Sequence, residues 1–166
     1  MQPLTAMIIL LMGVTGSGKT TVGQKLAARL GWKYLDADDF HSAANVARMR
    51  RGVPLNDHDR QPWLDSLKHV IKENLNAGTP AVLACSALRQ NYRDMLISDE
   101  RVKLVYLKGD YRLIEKRLRE RRYHYMNPDL LASQFEALEE PANALLIDVQ
   151  SSPDTIVDII RSHFAL

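Results

Sequence analysis

Cysteine is almost missing from this chain of 166 residues. Its single copy, Cys85, excludes an internal disulfide, the staple on which small secreted domains rely. Charge of one sign is also scarce: a net charge of +2 is too slight for nucleic acid to be the principal partner. Long hydrophobic runs are absent as well, and the stretch from Ala6 to Met12 is too short to span a bilayer, so no membrane partner is expected. No basic segment precedes that stretch and no cleavage pattern follows it, which leaves the cytoplasm as the expected location. The five histidines lack metal-ligand spacing. No N-K-x-D sequence, the guanine-reading signature of GTPase switches, occurs anywhere. Repeats, low-complexity tracts and inter-domain linkers are missing too. What remains is ordinary in amount, 46% apolar and 25% charged, and suits one folded domain over residues 1–166.

The most informative segment is Gly13-Val14-Thr15-Gly16-Ser17-Gly18-Lys19-Thr20, directly after the apolar run Met7 to Met12. It fits G-x-x-x-x-G-K-[ST] in the context that gives the pattern meaning, a strand before and an amphipathic helix after. Glycines at 13, 16 and 18 allow backbone conformations in which successive N–H groups point at phosphate oxygens, and the following helix aims its positive end at the same anion. Lys19 supplies a point charge for the outer phosphates, and the Thr20 hydroxyl suits Mg2+. ATP and Mg2+ are therefore the expected cofactors.

Hydrophobic periodicity alternates strand and helix throughout. Helical spacing runs from Lys19 to Leu30 and stops at Gly31; Trp32 to Leu35 reads as a strand leading into Asp36-Ala37-Asp38-Asp39. A polar helix is expected to about Arg50. A longer one follows, with Trp63, Leu64, Leu67, Ile71 and Leu75 on one face, and then a buried strand from Ala81 to Cys85. Ser86 is expected to cap a helix carrying Tyr92, Met95 and Leu96. Further strands are read at Val102 to Leu107 and Ala144 to Ile147, and further helices from Tyr111, Asn127-Pro128 and Ser152-Pro153. Five short apolar strands separated by helices imply an α/β, three-layer fold around a parallel sheet, with ligands at the strand C-termini.

Three constellations could carry chemistry at that edge. Asp36 and Asp38 are two apart in extended backbone and so share a side. Transfer of a phosphoryl group to an alcohol needs one carboxylate to orient the acceptor hydroxyl, for which Asp38 is the candidate, and one to hold the metal or its water, for which Asp36 is. Arg117 and Arg121 lie on one helix face, from which they could close over ATP and balance charge on the transferring group. Arg89 and Arg93, expected near a helix start, oppose the helix dipole unless an anion compensates, which hints at an acidic substrate. Asp148 ends a strand that looks like a Walker B segment, yet as the fifth strand it is expected far from the phosphate loop.

The stretches MGVTGSGKTTVG, LDADDFH, NVARMRRGVPLNDHDRQPWL, CSALRQNYRD, VYLKGD and SQFEALEEP run in the order found in one family. On them the chain resembles the gluconokinases, small P-loop carbohydrate kinases related in fold to shikimate and adenylate kinases. The resemblance implies transfer of the ATP γ-phosphoryl group to the 6-hydroxyl of D-gluconate. It also implies an adenylate-kinase-like fold with a mobile lid at about 117–128, and a homodimer. Carried over by position, residues Gly13, Val14, Thr15, Gly16, Ser17, Gly18, Lys19 and Thr20 would hold the nucleotide and its metal, while Asp38, Arg60, Ser86, Arg89, Arg93, His124 and Gln134 would meet the substrate. Two other readings stay open: another small-molecule kinase, for shikimate or a nucleotide, and a non-catalytic ATP-binding regulator. The Gly-rich triplet expected of a shikimate kinase is replaced here by Cys85-Ser86-Ala87.

Overall fold

In the computed structural model, which describes residues 6–121 and 128–166, the apolar run becomes β1, Ile8–Met12, with every residue buried. Around it lie β2 (Lys33–Asp36), β3 (Ala81–Ala84), β4 (Val102–Lys108) and β5 (Leu145–Asp148), all parallel, in the order β2-β3-β1-β4-β5. Strand β1 is central, pairing Ile8 with Ala81 on one side and with Val102 on the other. Its alternate side chains supply two cores. Ile8, Leu10 and Met12 pack with Trp63, Leu64, Leu67 and Leu96 on one face. Ile9 and Leu11 pack with Val22, Leu26, Val157 and Ile160 on the other. Burial contributes about 1.5–3 kcal/mol for each such side chain. The strand is therefore fixed hard enough to present the loop that follows it.

The helices are α1 (Lys19–Leu30), α2 (Ala43–Arg50), α3 (Asp57–Asn76), α4 (Gln90–Leu96), α5 (Tyr111–Glu120), α6 (Pro128–Ala137) and α7 (Pro153–Phe164). As its sequence implies, α1 ends at Gly31, in the left-handed region at φ +66°. The start of α3 is earlier than its apolar stripe suggests. Asn56 caps it, and Asp59 completes a reciprocal capping box, with contacts of 2.7 and 3.1 Å. Pro62 is accommodated inside α3.

Two local expectations are corrected. The polar segment after β2 is not one helix but a short 3-10 turn, Ala37–Phe40, followed by α2. The break arises because Asp36 caps the turn by accepting from Asp38 N at 2.9 Å, and Ser42 restarts the helix by accepting from Asn45 N. Ser86 is not a helix cap either. Ala87 takes a left-handed conformation at φ +45°, the chain turns there, and α4 begins only after Arg89. Strand β5 sits at the sheet edge with β4 between it and β1, so Asp148 stays away from the phosphate loop and caps its own turn through Gln150 N. Among the described residues, no helix is long and apolar enough to cross a membrane.

Candidate active site

The sheet order brings the ends of β1, β2, β3 and β4 to one edge, where the loop Gly13–Gly18 lies. At Gly13 and Gly16 a glycine is required by space as well as by torsion. A Cβ on Gly13 would stand 2.8 Å from the Leu107 carbonyl oxygen of the neighbouring strand end. Gly16, at φ +78°, sits under α5, and a Cβ there would meet Leu118 at 3.0 Å. Ser86 belongs to the same edge, for its carbonyl accepts from Gly13 N at 3.4 Å.

Lys19 folds back over this loop, its Nζ donating to Gly13 O at 2.8 Å and Val14 O at 3.0 Å. Burial lowers its pKa to about 8, against the attraction of Asp38 and Asp36. Phosphate oxygens would restore the charge that burial disfavours. The Ser17 hydroxyl is buried with no hydrogen-bond partner among the described residues. The Thr15 N–H already grips an oxygen, the side-chain Oε1 of Gln134 at 2.7 Å. A glycine cradle, an unpartnered hydroxyl, a lysine over the loop and an amide holding an acceptor oxygen fit a bound triphosphate.

Across from Lys19 stands the acidic pair. Asp36 Oδ1 holds the 3-10 turn, and Oδ2 accepts from Tyr34 at 3.4 Å. Thr20 lies close enough to the Tyr34 hydroxyl to act against the rise in its pKa, so Tyr34 adjoins both groups expected at the metal. Its ring closes over Gly23, where a Cβ would lie 2.7 Å from Cε2. Tyr34 was legible only as a strand residue, although its position two before Asp36 puts it on the same side of the strand. Asp38 is exposed as a residue, yet desolvation of its carboxyl and the charge of Asp36 raise its pKa, against the pull of Lys19. The turn that carries it is pinned to α3: Trp63 Nε1 donates to Ala37 O at 2.7 Å, and His41 stacks on Trp63 with ring centroids 4.4 Å apart. Among the described residues, no group of three or more His, Cys, Asp or Glu side chains could hold a metal by itself. A hydroxyl and a carboxylate suit a Mg2+ ion that arrives with nucleotide oxygens as its other ligands.

The cationic residues separate into different tasks. Arg60 and Arg89 line a cleft of about 580 Å³ with Asn56, Asp57, Asn91 and Glu139. Arg93, expected at the substrate, is instead buried at 2% exposure. Its Nη1 donates to Ala87 O and Leu88 O, and its Nη2 to Gln90 Oε1 and Glu139 O. The left-handed turn at Ala87 presents those carbonyls, so Arg93 braces the loop that carries Ser86 and Arg89. The expected pairing of Arg117 with Arg121 is likewise revised. Arg117 Nη2 donates to Val149 O at 2.6 Å and ties α5 to the end of β5, while Arg121, at the exposed end of α5, acts electrostatically on Lys19. Gln134 reaches the phosphate loop itself, a contact with no signal in its spacing because 119 residues separate it from Thr15. His124 and residues 122–127 of the lid expected at about 117–128 lie outside the described residues, while Arg117 to Glu120 belong to α5. Cys85 is buried with its thiol pushed up to about 12 by burial, which makes it inert as a nucleophile.

Comparison with known proteins matches this arrangement. A family model described as an AAA domain covers residues 8–144. The thermosensitive gluconokinase of Escherichia coli (strain K12) is 44% identical over 133 residues, 80% of this chain and 71% of its own length. The solved structure of a gluconokinase from Sinorhizobium meliloti 1021 superposes with a TM-score of 0.82 at 34% identity, covering 93% of this chain and 89% of that one. A sugar kinase from Janibacter, solved without ligand, gives a TM-score of 0.88 at 37% identity, with 95% and 93% covered. Sequence, sheet order and phosphate loop agree: the chain belongs to the gluconokinase family of P-loop kinases.

Proposed function

We propose that this protein phosphorylates D-gluconate at its 6-hydroxyl with ATP, giving 6-phospho-D-gluconate and ADP. The observation that carries the reading is Lys19, folded over the phosphate loop within electrostatic reach of Asp38 and Asp36, together with a cleft lined by Arg60 and Arg89. The loop Gly13–Thr20 would bind the triphosphate through its N–H groups, and Lys19 would leave the carbonyls of Gly13 and Val14 for phosphate oxygens. Asp38 would accept a hydrogen bond from the acceptor hydroxyl and hold it in line with the γ-phosphorus. As the new O–P bond forms and the bond to the ADP oxygen breaks, the hydroxyl proton passes to the Asp38 carboxylate. A pKa raised from its ordinary value by burial and by Asp36 suits that transfer. Mg2+, held by Thr20 and Asp36, would neutralise phosphate charge when bound. Arg121 would add positive charge over the transferring group, and Arg60 and Arg89 would receive the sugar-acid carboxylate.

Gln134 fits a role at the γ-phosphate end of the loop, and Ser86 one at the substrate wall. The resemblance carries with it a single kinase domain, a homodimer and a cytoplasmic location, and light scattering on the purified chain tests the dimer. The central experiment is ADP release across gluconate, idonate, shikimate and nucleoside monophosphates, with the product identified by coupling to 6-phosphogluconate oxidation. Selective turnover of gluconate is expected. Preference for shikimate or a nucleotide overturns the reading, and ATP binding without turnover of any acceptor points to a regulator. Asp38→Asn should lower kcat about a hundredfold or more with little change in the KM for ATP, the scale on which a positioned base acts. A normal kcat removes Asp38 from the mechanism.

A further inference from the structure

The cleft lined by Arg60 and Arg89 also holds two carboxylates, Asp57 and Glu139, and the four groups are not paired alike. Arg89 Nη1 and Glu139 Oε1 face each other at 4.0 Å, the longest ion-pair contact among the described residues. Arg48 meets Asp59 directly at 2.9 Å, and Arg101 meets Asp99 at 2.7 Å. Arg60 and Asp57 line the same cleft but make no direct ion pair. The hydroxyl of Tyr92 stands between them, accepting from Arg60 Nη1 at 3.0 Å and donating to Asp57 Oδ1. The ring of Tyr92 lies under the guanidinium, with Cζ 5.6 Å from its centroid. Tyr92 is 5% exposed and embedded in the core cluster with Trp63 and Leu96, so its hydroxyl has a fixed position. Among the described residues, the Arg60 guanidinium makes no other hydrogen bond or ion pair with a side chain or carbonyl.

This arrangement differs physically from a salt bridge. A carboxylate seated on the fork would cancel the charge and occupy the two parallel donors that an incoming carboxylate needs. A neutral hydroxyl takes one donor, orients the plane and leaves the charge uncancelled. The ring face beneath adds attraction to the cation without competing for its in-plane donors.

We propose that Tyr92 is a positioning residue. Its hydroxyl aims the Arg60 fork into the cleft for the carboxylate of the acceptor, and by also holding Asp57 Oδ1 it keeps that carboxylate from closing on the fork. The inference rests on the proposed function, because it takes the acceptor to be a polyhydroxy acid. It adds a tyrosine that reads from sequence only as a helix core residue.

The test is steady-state kinetics on the full chain, with gluconate varied at saturating ATP and then ATP varied at saturating gluconate. Tyr92→Phe keeps the ring and removes the hydroxyl. The KM for gluconate should rise about tenfold, the scale of one hydrogen bond to a charged group, with kcat within about twofold and the KM for ATP unchanged. The effect should depend on Asp57. In an Asp57→Asn background, Tyr92→Phe should raise the KM for gluconate by less than about threefold, because no carboxylate is left to collapse onto Arg60. A wild-type KM in Tyr92→Phe overturns the proposal, and so does the same rise in both backgrounds, which would mark a purely structural role. Were Tyr92→Phe too unstable to assay, Arg60→Lys carries the test. Lysine keeps the charge but cannot hold Tyr92 and grip a carboxylate in two parallel bonds, so an unchanged KM there also overturns it. Wild-type protein that leaves gluconate unphosphorylated sinks the functional reading and this one together. Active wild type with an unaltered Tyr92→Phe sinks only the role of Tyr92.

Discussion

Arg93→Met separates two tasks that an arginine beside a substrate cleft could have. If Arg93 binds the sugar acid, its loss should raise the KM for gluconate and leave stability alone. The structure predicts the reverse. The guanidinium is 2% exposed and donates to Ala87 O at 2.8 Å, Leu88 O at 3.1 Å, Gln90 Oε1 at 2.9 Å and Glu139 O at 2.7 Å. Methionine fills much of the volume but leaves three main-chain carbonyls short of a charged donor; Gln90 can turn to water. At roughly 1 kcal/mol or more for each carbonyl, the loss comes to about 3–5 kcal/mol. Ala87 adds to it, since a non-glycine residue held at a positive φ costs about 1–3 kcal/mol and persists only where its surroundings enforce it. In a chain of this size, about 2–4 °C of midpoint accompanies each kcal/mol, so Tm should fall by about 10 °C. Urea and thermal unfolding of wild type and variant, with kinetics run well below both midpoints, supply the data. An unchanged urea midpoint together with a selective rise in the KM for gluconate would refute the structural reasoning and return Arg93 to the substrate.

Three further outcomes are expected. Lys19→Ala should abolish phosphoryl transfer while urea unfolding stays a single cooperative transition; wild-type turnover would remove Lys19 from the site. Gln134→Glu places a full charge on the Thr15 amide beside the incoming phosphates, and the KM for ATP should rise about tenfold, a change that like-charge repulsion in a partly buried site readily supplies; an unchanged KM would mean that Gln134 swings clear when nucleotide binds. His41, held near pKa 4 by burial and by the charge of Arg60, should be neutral when folded but take up a proton near pH 6.5 when unfolded. Between those values the unfolded chain binds more protons, so stability falls as pH drops from about 6.5 towards 4. His41→Gln should flatten that part of the curve relative to wild type, and parallel curves would contradict the assignment.

Much of the fold was legible because its signals are local. The buried run Ile8–Met12, the glycine pattern that follows, the stop at Gly31 and the stripe of α3 each come from neighbouring residues, and each appears where the chain implies it. The position of Asp148 at the sheet edge also followed from strand order alone. The misread elements are those decided by side chains reaching back to the main chain. Asp36 cut a helix short by capping a turn, and the left-handed Ala87 moved the start of α4 past Ser86. An aspartate can cap or stay solvated and an alanine gives no sign of a left-handed turn, so neither outcome is decided by residue type alone.

The site divides in the same way. The nucleotide cradle, the acidic pair and family membership were fixed by residue type and spacing, because a glycine loop between strand and helix has few other uses. Which arginine faces the cleft and which one braces it could not be read along the chain. Arg60, Arg89 and Arg93 share the same chemistry, and only the carbonyls and hydroxyls gathered around each in three dimensions tell them apart. Gln134 on Thr15 and Tyr92 between Arg60 and Asp57 are likewise meetings of distant segments. Sequence set what each group can do, and packing, which chooses each donor's acceptor, decided what it does.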